Sequence, residues 1–296
     1  MNAFTVDAVP LKFRYAPTPS GFLHEGNICN FLLVWVLARA SGGKILLRID
    51  DLDRERFRKP YLEDIFRKLD SLGLDYDEGP AGPDDFEKNW SQVLRIDQYQ
   101  RWLNLLISSE NIFACKCSRK ETEEGKICNC NLQKHTDDQV AWKYRTNGAG
   151  FQEWQDQITG FTSISIHDTT PFFTVRKNNG FPGYQITSLA DDLHFGITDI
   201  VRGQDLIAST AIQQLLSKEL KAQKFLQTRF YHHPLLSHAS GEKLSKSAGD
   251  HLLTDMATGS MSDKLQTMVQ QVAKWLLISE PVNTKEELLS AFLERT

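Results

Sequence analysis

YAPTPSGFLHEGN, residues 15–27, decides how the rest of the chain is read. Two prolines and a glycine break the backbone, and His24, Gly26 and Asn27 then lead straight into an apolar run. Upstream, LKFRYA (11–16) alternates and reads as a strand. Downstream, GNICNFLLVWVLARASGG (26–43) reads as a mostly buried helix with a glycine stop, and KILLRI (44–49) as a buried parallel strand. PYLEDIFRKLDSLG (60–73) carries proline in its first turn and places Leu62, Ile65, Phe66, Leu69 and Leu72 at helical spacing. Strand, helix, strand, helix is the rhythm of an α/β fold, an open parallel sheet covered by helices. A helix that follows a strand offers free N–H groups and a positive dipole end to a phosphate. His24 and Asn27 would donate there, and Gly21 and Gly26 would let a ligand approach the backbone.

Further along, residues 74–91 are rich in Asp, Gly and Pro and read as a loop, and 92–110 read as helical. Residues 139–176 carry short β-like runs (VAWKYRT, TSISIHD, PFFTVRK) and look like an insertion. The α/β rhythm resumes with GYQITSLADDL and then with ITDIVRG (197–203) as a strand. A helix from Asp205 to about Lys221 follows, and TRFYHHPLL (228–236) is a strand in which His232 and His233 read as structural. GEKLSKSAGD (241–250) sets Lys243 and Lys246 in a Gly/Ser loop able to bring positive charge to a triphosphate. The tail, 261–296, reads as helical. Neither short motif is specific alone. Together they stand at the ends of expected strands on either side of the insertion. Neither GxGxxG nor a Walker A motif occurs.

The 296 residues are 41% hydrophobic and 24% charged with a net charge of −4, ordinary for a soluble globular protein. That balance excludes a strong overall basic field, though local patches can still bind phosphates. With no run of 18 apolar residues and no signal-peptide pattern, a cytoplasmic enzyme or binding protein without a membrane partner is expected. Of five cysteines, Cys29 sits in an apolar run and reads as core. Cys115, Cys117, Cys128 and Cys130 form a CxC…CxC cluster, which in a reducing compartment reads as a metal site. Four thiolates would close a tetrahedral, structural Zn²⁺ site; a reduced, metal-free cluster is the alternative.

HEGN resembles the HIGH motif, and KLSKS the KMSKS motif, of class I aminoacyl-tRNA synthetases. RYAPTPSGFLHEGN, LLRIDDLDRER, ITDIVRGQDLIAST and HHPLLSHASGEKLSKS, in that order, are similar to the catalytic domain of glutamyl-tRNA synthetases over residues 11–250. The resemblance implies a Rossmann-type parallel sheet split by an acceptor-end, zinc-containing insertion. The expected parts are residues 1–110, the first half of the catalytic domain; 111–183, the insertion; 184–250, the second half; and 251–296, a short helical tail. Only 46 residues follow Asp250, too few for the family's anticodon-binding region, which is similar to a truncated branch of the family, the glutamyl-queuosine tRNA(Asp) synthetases.

That branch implies ATP-dependent activation of glutamate and its transfer to queuosine in the anticodon loop of tRNA(Asp). Glutamate, ATP with Mg²⁺, and tRNA would be the partners, and a monomer is expected. By position, Arg14, Thr18, Ser20, Asp50, Tyr184 and Arg202 match the glutamate pocket, and His24, Gly26, Asn27, Lys243 and Lys246 the ATP-handling motifs. A planar guanidinium suits a carboxylate bidentately, so Arg202 favours glutamate over glutamine. Two departures stand out. Asp50 occupies a place where bacterial glutamate enzymes usually carry Glu, and the second CxC replaces a tyrosine and a cysteine. A different acceptor (a tRNA 3′ end or a small molecule) and a non-catalytic tRNA- or adenylate-binding regulator are the alternatives.

Overall fold

The computed structural model describes residues 10–117, 130, 140–236 and 261–295. These fall into two compact units, one of Met1–Gln92, Ile197–Gln204 and His233–Thr296, the other of Val93–Gly196 and Asp205–His232.

In the first unit β1 (Lys12–Tyr15) and β2 (Lys44–Leu47) pair in parallel, with Lys12 opposite Lys44 and Tyr15 opposite Leu47. The connection is α1 (Glu25–Ala40), apolar on every side: Ile28, Phe31, Leu32, Leu33, Val34 and Val36 are all buried. A helix without a polar stripe needs cover all round. The strands β1, β2 and β8 (Asp199–Gly203) supply it, together with α6 (Met261–Trp275) and α7 (Lys285–Leu293). β8 lies along β1, where the Thr198 N–H donates to the Lys12 carbonyl at 2.9 Å. The helix read over 60–73 is α2 (Lys59–Ser71), which buries Leu62, Ile65 and Leu69.

The expected loop at 74–91 is partly helical. Pro83–Asp85 makes one turn and runs into a π-helical stretch, Phe86–Trp90. Asp85 accepts the Ala81 N–H at 2.8 Å and Phe86 is fully buried. One buried ring and one side-chain bond to the backbone outweigh the turn-forming composition.

The second unit holds α3 (Ile96–Ile107), α4 (Tyr184–His194) and α5 (Ile207–Glu219). Its β3 (Ile112–Cys115), β4 (Ala141–Arg145) and β7 (Phe172–Arg176) form an antiparallel sheet in the order β3-β4-β7. A hairpin joins β5 (Phe151–Asp156) to β6 (Gly160–Ser165), and β5 meets β9 (Arg229–His233) in parallel at Asp156 and Phe230. The strand read through TSISIHD ends at Ser165, and Ile166–Thr169 is a helical turn that buries Ile166. The helix read from Asp205 begins two residues later, after a tight turn at Gln204–Leu206, and ends before Lys221, whose φ is 54°.

Candidate active site

The loop between β1 and α1 is stitched to the loop after β2. Asp50 N–H donates to the Pro17 carbonyl at 2.9 Å, and Arg58 N–H to that of Pro19 at 3.3 Å. Leu23 is buried, and exposed His24 is the N-cap of α1 with an extended backbone. The Asn27 side-chain oxygen accepts the His24 N–H at 3.1 Å, as in a capping box. The Asn27 amide nitrogen therefore remains a donor for a ligand at the positive end of the helix dipole. A Cβ at Gly26 would crowd the His24 ring, 3.0 Å from Cε1 and 3.1 Å from Nδ1. At Gly21 a Cβ would meet nothing within 4 Å.

Two buried guanidiniums lie in the strands of the same unit. Arg14 on β1 is 5% exposed and Arg202 on β8 is 3% exposed. Arg14 Nη1 donates to the Val201 carbonyl at 3.2 Å, so it reaches the peptide bond that precedes Arg202. Asp50 is engaged in a way the motif does not reveal. Arg48, buried, grips it bidentately, Nε to Oδ1 at 2.8 Å and Nη2 to Oδ2 at 3.0 Å. Gln92 Nε2 makes a longer contact to Oδ1, at 3.5 Å. Arg48 was missed by the motif reading; the only signal was an arginine inside the apolar run KILLRI. Asp51 is structural: it accepts from Ser91 Oγ at 2.6 Å, the Gln92 N–H at 2.7 Å and Arg54 at 2.6 Å.

Arg14, Thr18, Ser20, His24, Gly26, Asn27, Asp50 and Arg202 thus belong to one unit. Tyr184 belongs to the other, 44% exposed as the first residue of α4. Lys243 and Lys246 lie outside the described residues.

The sulfurs of Cys115, Cys117 and Cys130 all lie within 4.8 Å of one another, and Cys117 and Cys130 are 3.8 Å apart. A disulfide requires about 2.05 Å. Around Zn²⁺ with bonds of about 2.3 Å, tetrahedral geometry puts sulfurs about 3.8 Å apart, so the soft donor set and its spacing fit such an ion. Cys128 lies outside the described residues.

The model for the catalytic domain of class I tRNA synthetases (E and Q) matches residues 10–148 and 133–291. A Glutamyl-Q tRNA(Asp) synthetase of Nitratidesulfovibrio vulgaris is 33% identical over 261 residues, 80% of this chain and 78% of that protein. Another, of Synechococcus sp., is 38% identical over 239 residues, 79% of this chain and 72% of that protein. A glutamate–tRNA ligase of Thermosynechococcus vestitus is 33% identical over 270 residues, 83% of this chain and 53% of that protein. Among solved structures, glutamate-tRNA synthetase from Elizabethkingia anophelis superposes with a TM-score of 0.73 at 21% identity. That match covers 95% of this chain and 65% of the other, and shows a shared fold of mixed α/β sheets.

Proposed function

The chain belongs to the class I tRNA synthetases of the glutamate and glutamine group and is a ligase of that kind, and from this premise we propose that it attaches glutamate to queuosine in tRNA(Asp). The observation that carries the amino acid is the pair of buried guanidiniums, Arg14 and Arg202, on neighbouring strands. A desolvated guanidinium fork suits the side-chain carboxylate of glutamate, where the neutral amide of glutamine would offer one acceptor oxygen in place of two. The acceptor rests on relatives named Glutamyl-Q tRNA(Asp) synthetase, 33–38% identical over about four-fifths of the chain.

In the first step an oxygen of glutamate's α-carboxylate attacks the α-phosphorus of ATP, and pyrophosphate leaves. Glutamyl-adenylate forms without a protein nucleophile, so catalysis is positioning and charge stabilisation. His24 and the Asn27 amide would donate to the phosphates at the start of α1, and Lys243 and Lys246 would add positive charge. Thr18, Ser20 and Asp50 would complete the glutamate pocket. Mg²⁺ would accompany the triphosphate. In the second step a hydroxyl of queuosine's cyclopentene ring attacks the activated carbonyl, an ester forms and AMP leaves. Cys115, Cys117 and Cys130, with Cys128, would hold a structural Zn²⁺ that stiffens the segment after β3.

The test is ATP-dependent transfer of labelled glutamate to tRNA(Asp) prepared with and without queuosine. Labelling confined to the queuosine form is the expected result. Equal labelling of both forms would move the acceptor to a tRNA 3′ end, and no labelling of either would remove tRNA(Asp) from the reaction.

A further inference from the structure

α2 carries an ion pair that its packing does not need. Asp64 and Lys68, one helical turn apart, are 1% and 2% exposed on the same side as Leu62, Ile65 and Leu69. Lys68 Nζ lies 2.8 Å from Asp64 Oδ2, and Arg67 closes on Oδ1. Taking two charges out of water is expensive, and apolar residues of similar volume commonly do as well or better for stability. An apolar pair could not, however, hold the polar groups of another segment.

That is what these two side chains do. The Leu23 N–H donates to Asp64 Oδ2 at 3.0 Å, and Lys68 Nζ donates to the Leu23 carbonyl at 2.7 Å. The two groups belong to successive peptide planes, on either side of the Leu23 Cα. Both are fixed immediately before His24, the N-cap of α1. Leu23 precedes the helix, so neither group belongs to the α1 ladder. Gly26 keeps space for the imidazole, and Asn27 holds the His24 N–H.

We propose that Asp64 and Lys68 are positioning residues for the nucleotide step: through the Leu23 backbone they set the place and direction of His24 and of the first turn of α1. The inference rests on the reading of His24, Gly26 and Asn27 as the groups that handle ATP, and deepens it. The pair touches no substrate; it acts through the chain it holds. Its effect falls on ATP rather than on glutamate, because Arg14 and Arg202 stand on strands that the pair does not bond.

The experiment compares the full-length protein with D64L/K68M, which removes both grips and both charges while keeping apolar volume, and with Lys68→Arg, which keeps a donor for the carbonyl. Thermal melting, amide hydrogen exchange over residues 22–27, and glutamate-dependent ATP–pyrophosphate exchange are measured on each. D64L/K68M is expected to melt below the parent, because the buried Leu23 N–H and carbonyl lose their side-chain partners, to exchange its 22–27 amides faster, and, at temperatures where it is fully folded, to lose up to about 10²-fold in kcat/KM for ATP with KM for glutamate unchanged. Lys68→Arg is expected to recover most of both. Unchanged amide protection and unchanged ATP kinetics in D64L/K68M would overturn the proposal. So would equal losses toward ATP and glutamate that track melting. If D64L/K68M does not fold, Asp64→Asn decides by the same readouts, since it keeps the shape and removes the charge that holds Lys68. A parent protein without pyrophosphate exchange both in the presence and in the absence of tRNA would refute the synthetase mechanism, and the amide-exchange arm would still decide whether the pair holds Leu23.

Discussion

Asp156 shows how one residue acquires a role its neighbours in the chain do not suggest. It ends β5, and its Oδ1 accepts the N–H groups of Ile158 and Thr159, both at 2.9 Å, which shapes the hairpin turn. Its Oδ2 faces His232 Nδ1 at 2.5 Å, and His232 Nε2 faces Thr210 Oγ1 at 2.9 Å. All three side chains are fully buried. Burial by itself would raise the Asp156 carboxyl; the bond to His232 and the two amides outweigh it and hold the group down at about 2. A carboxyl depressed in the fold adds stability above its unfolded pKa of about 3.9, and that contribution fades as pH falls toward 2. Asp156→Asn should therefore cost roughly 2 kcal/mol at pH 7, with the gap to the parent shrinking in acid, as urea melts at pH 7 and pH 3 would show. His233, next along, is engaged differently. The Pro234 carbonyl at 2.8 Å can only accept, so Nδ1 carries the proton, and Nε2 faces the Asn30 amide nitrogen at 3.0 Å while the ring stacks on Trp275. Both histidines were legible as structural strand residues; their partners were not, since Asp156 and Asn30 are 76 and 203 positions away.

Among elements, those with a strong period were read correctly and those made by a single contact were not. α2 follows its apolar spacing, and β1 and β2 follow their short apolar runs. The π-helical stretch at Phe86–Trp90 and the turn at Ile166–Thr169 each hang on one buried side chain, which no periodicity announces. α4 begins where it does because of Gly183. Its N–H donates to the Val175 carbonyl at 2.7 Å, and a Cβ there would stand 2.4 Å from the Thr174 carbonyl oxygen. The φ of Gly183 is −74°, so the demand is for space and not for a left-handed backbone. Gly183→Ala should push α4 away from β7 and cost about 1–3 kcal/mol, read as a lower urea midpoint. Tyr184, the next residue, would shift with it.

At the scale of the molecule, α1 is the organising member of the first unit. The last helices complete its cover: Lys285 Nζ sits 4.3 Å over the Trp35 ring, and Cys29 Sγ faces the Met268 carbonyl at 3.9 Å. Burial pushes the Cys29 thiol up to about 12, with Glu25 adding to the effect, so it should be inert to thiol reagents at pH 8. A chain ending at residue 250 would leave that side of α1 open. It should aggregate or bind hydrophobic dyes, and Cys29 should become reactive, which gel filtration and thiol titration would register. No described helix is long and apolar enough to cross a membrane. The sequence by itself determined the α/β rhythm, the corner at His24–Asn27 and the clustered cysteines. Those depend on local period, on turn chemistry and on the kind of side chain present. Only the tertiary structure decided which charges are spent inside the protein. Arg48 takes Asp50, Asp156 takes His232, and Asp64 with Lys68 takes the backbone of Leu23. A charge has a role only once its partner and its distance from water are settled, and folding settles both by bringing together residues that the chain keeps apart.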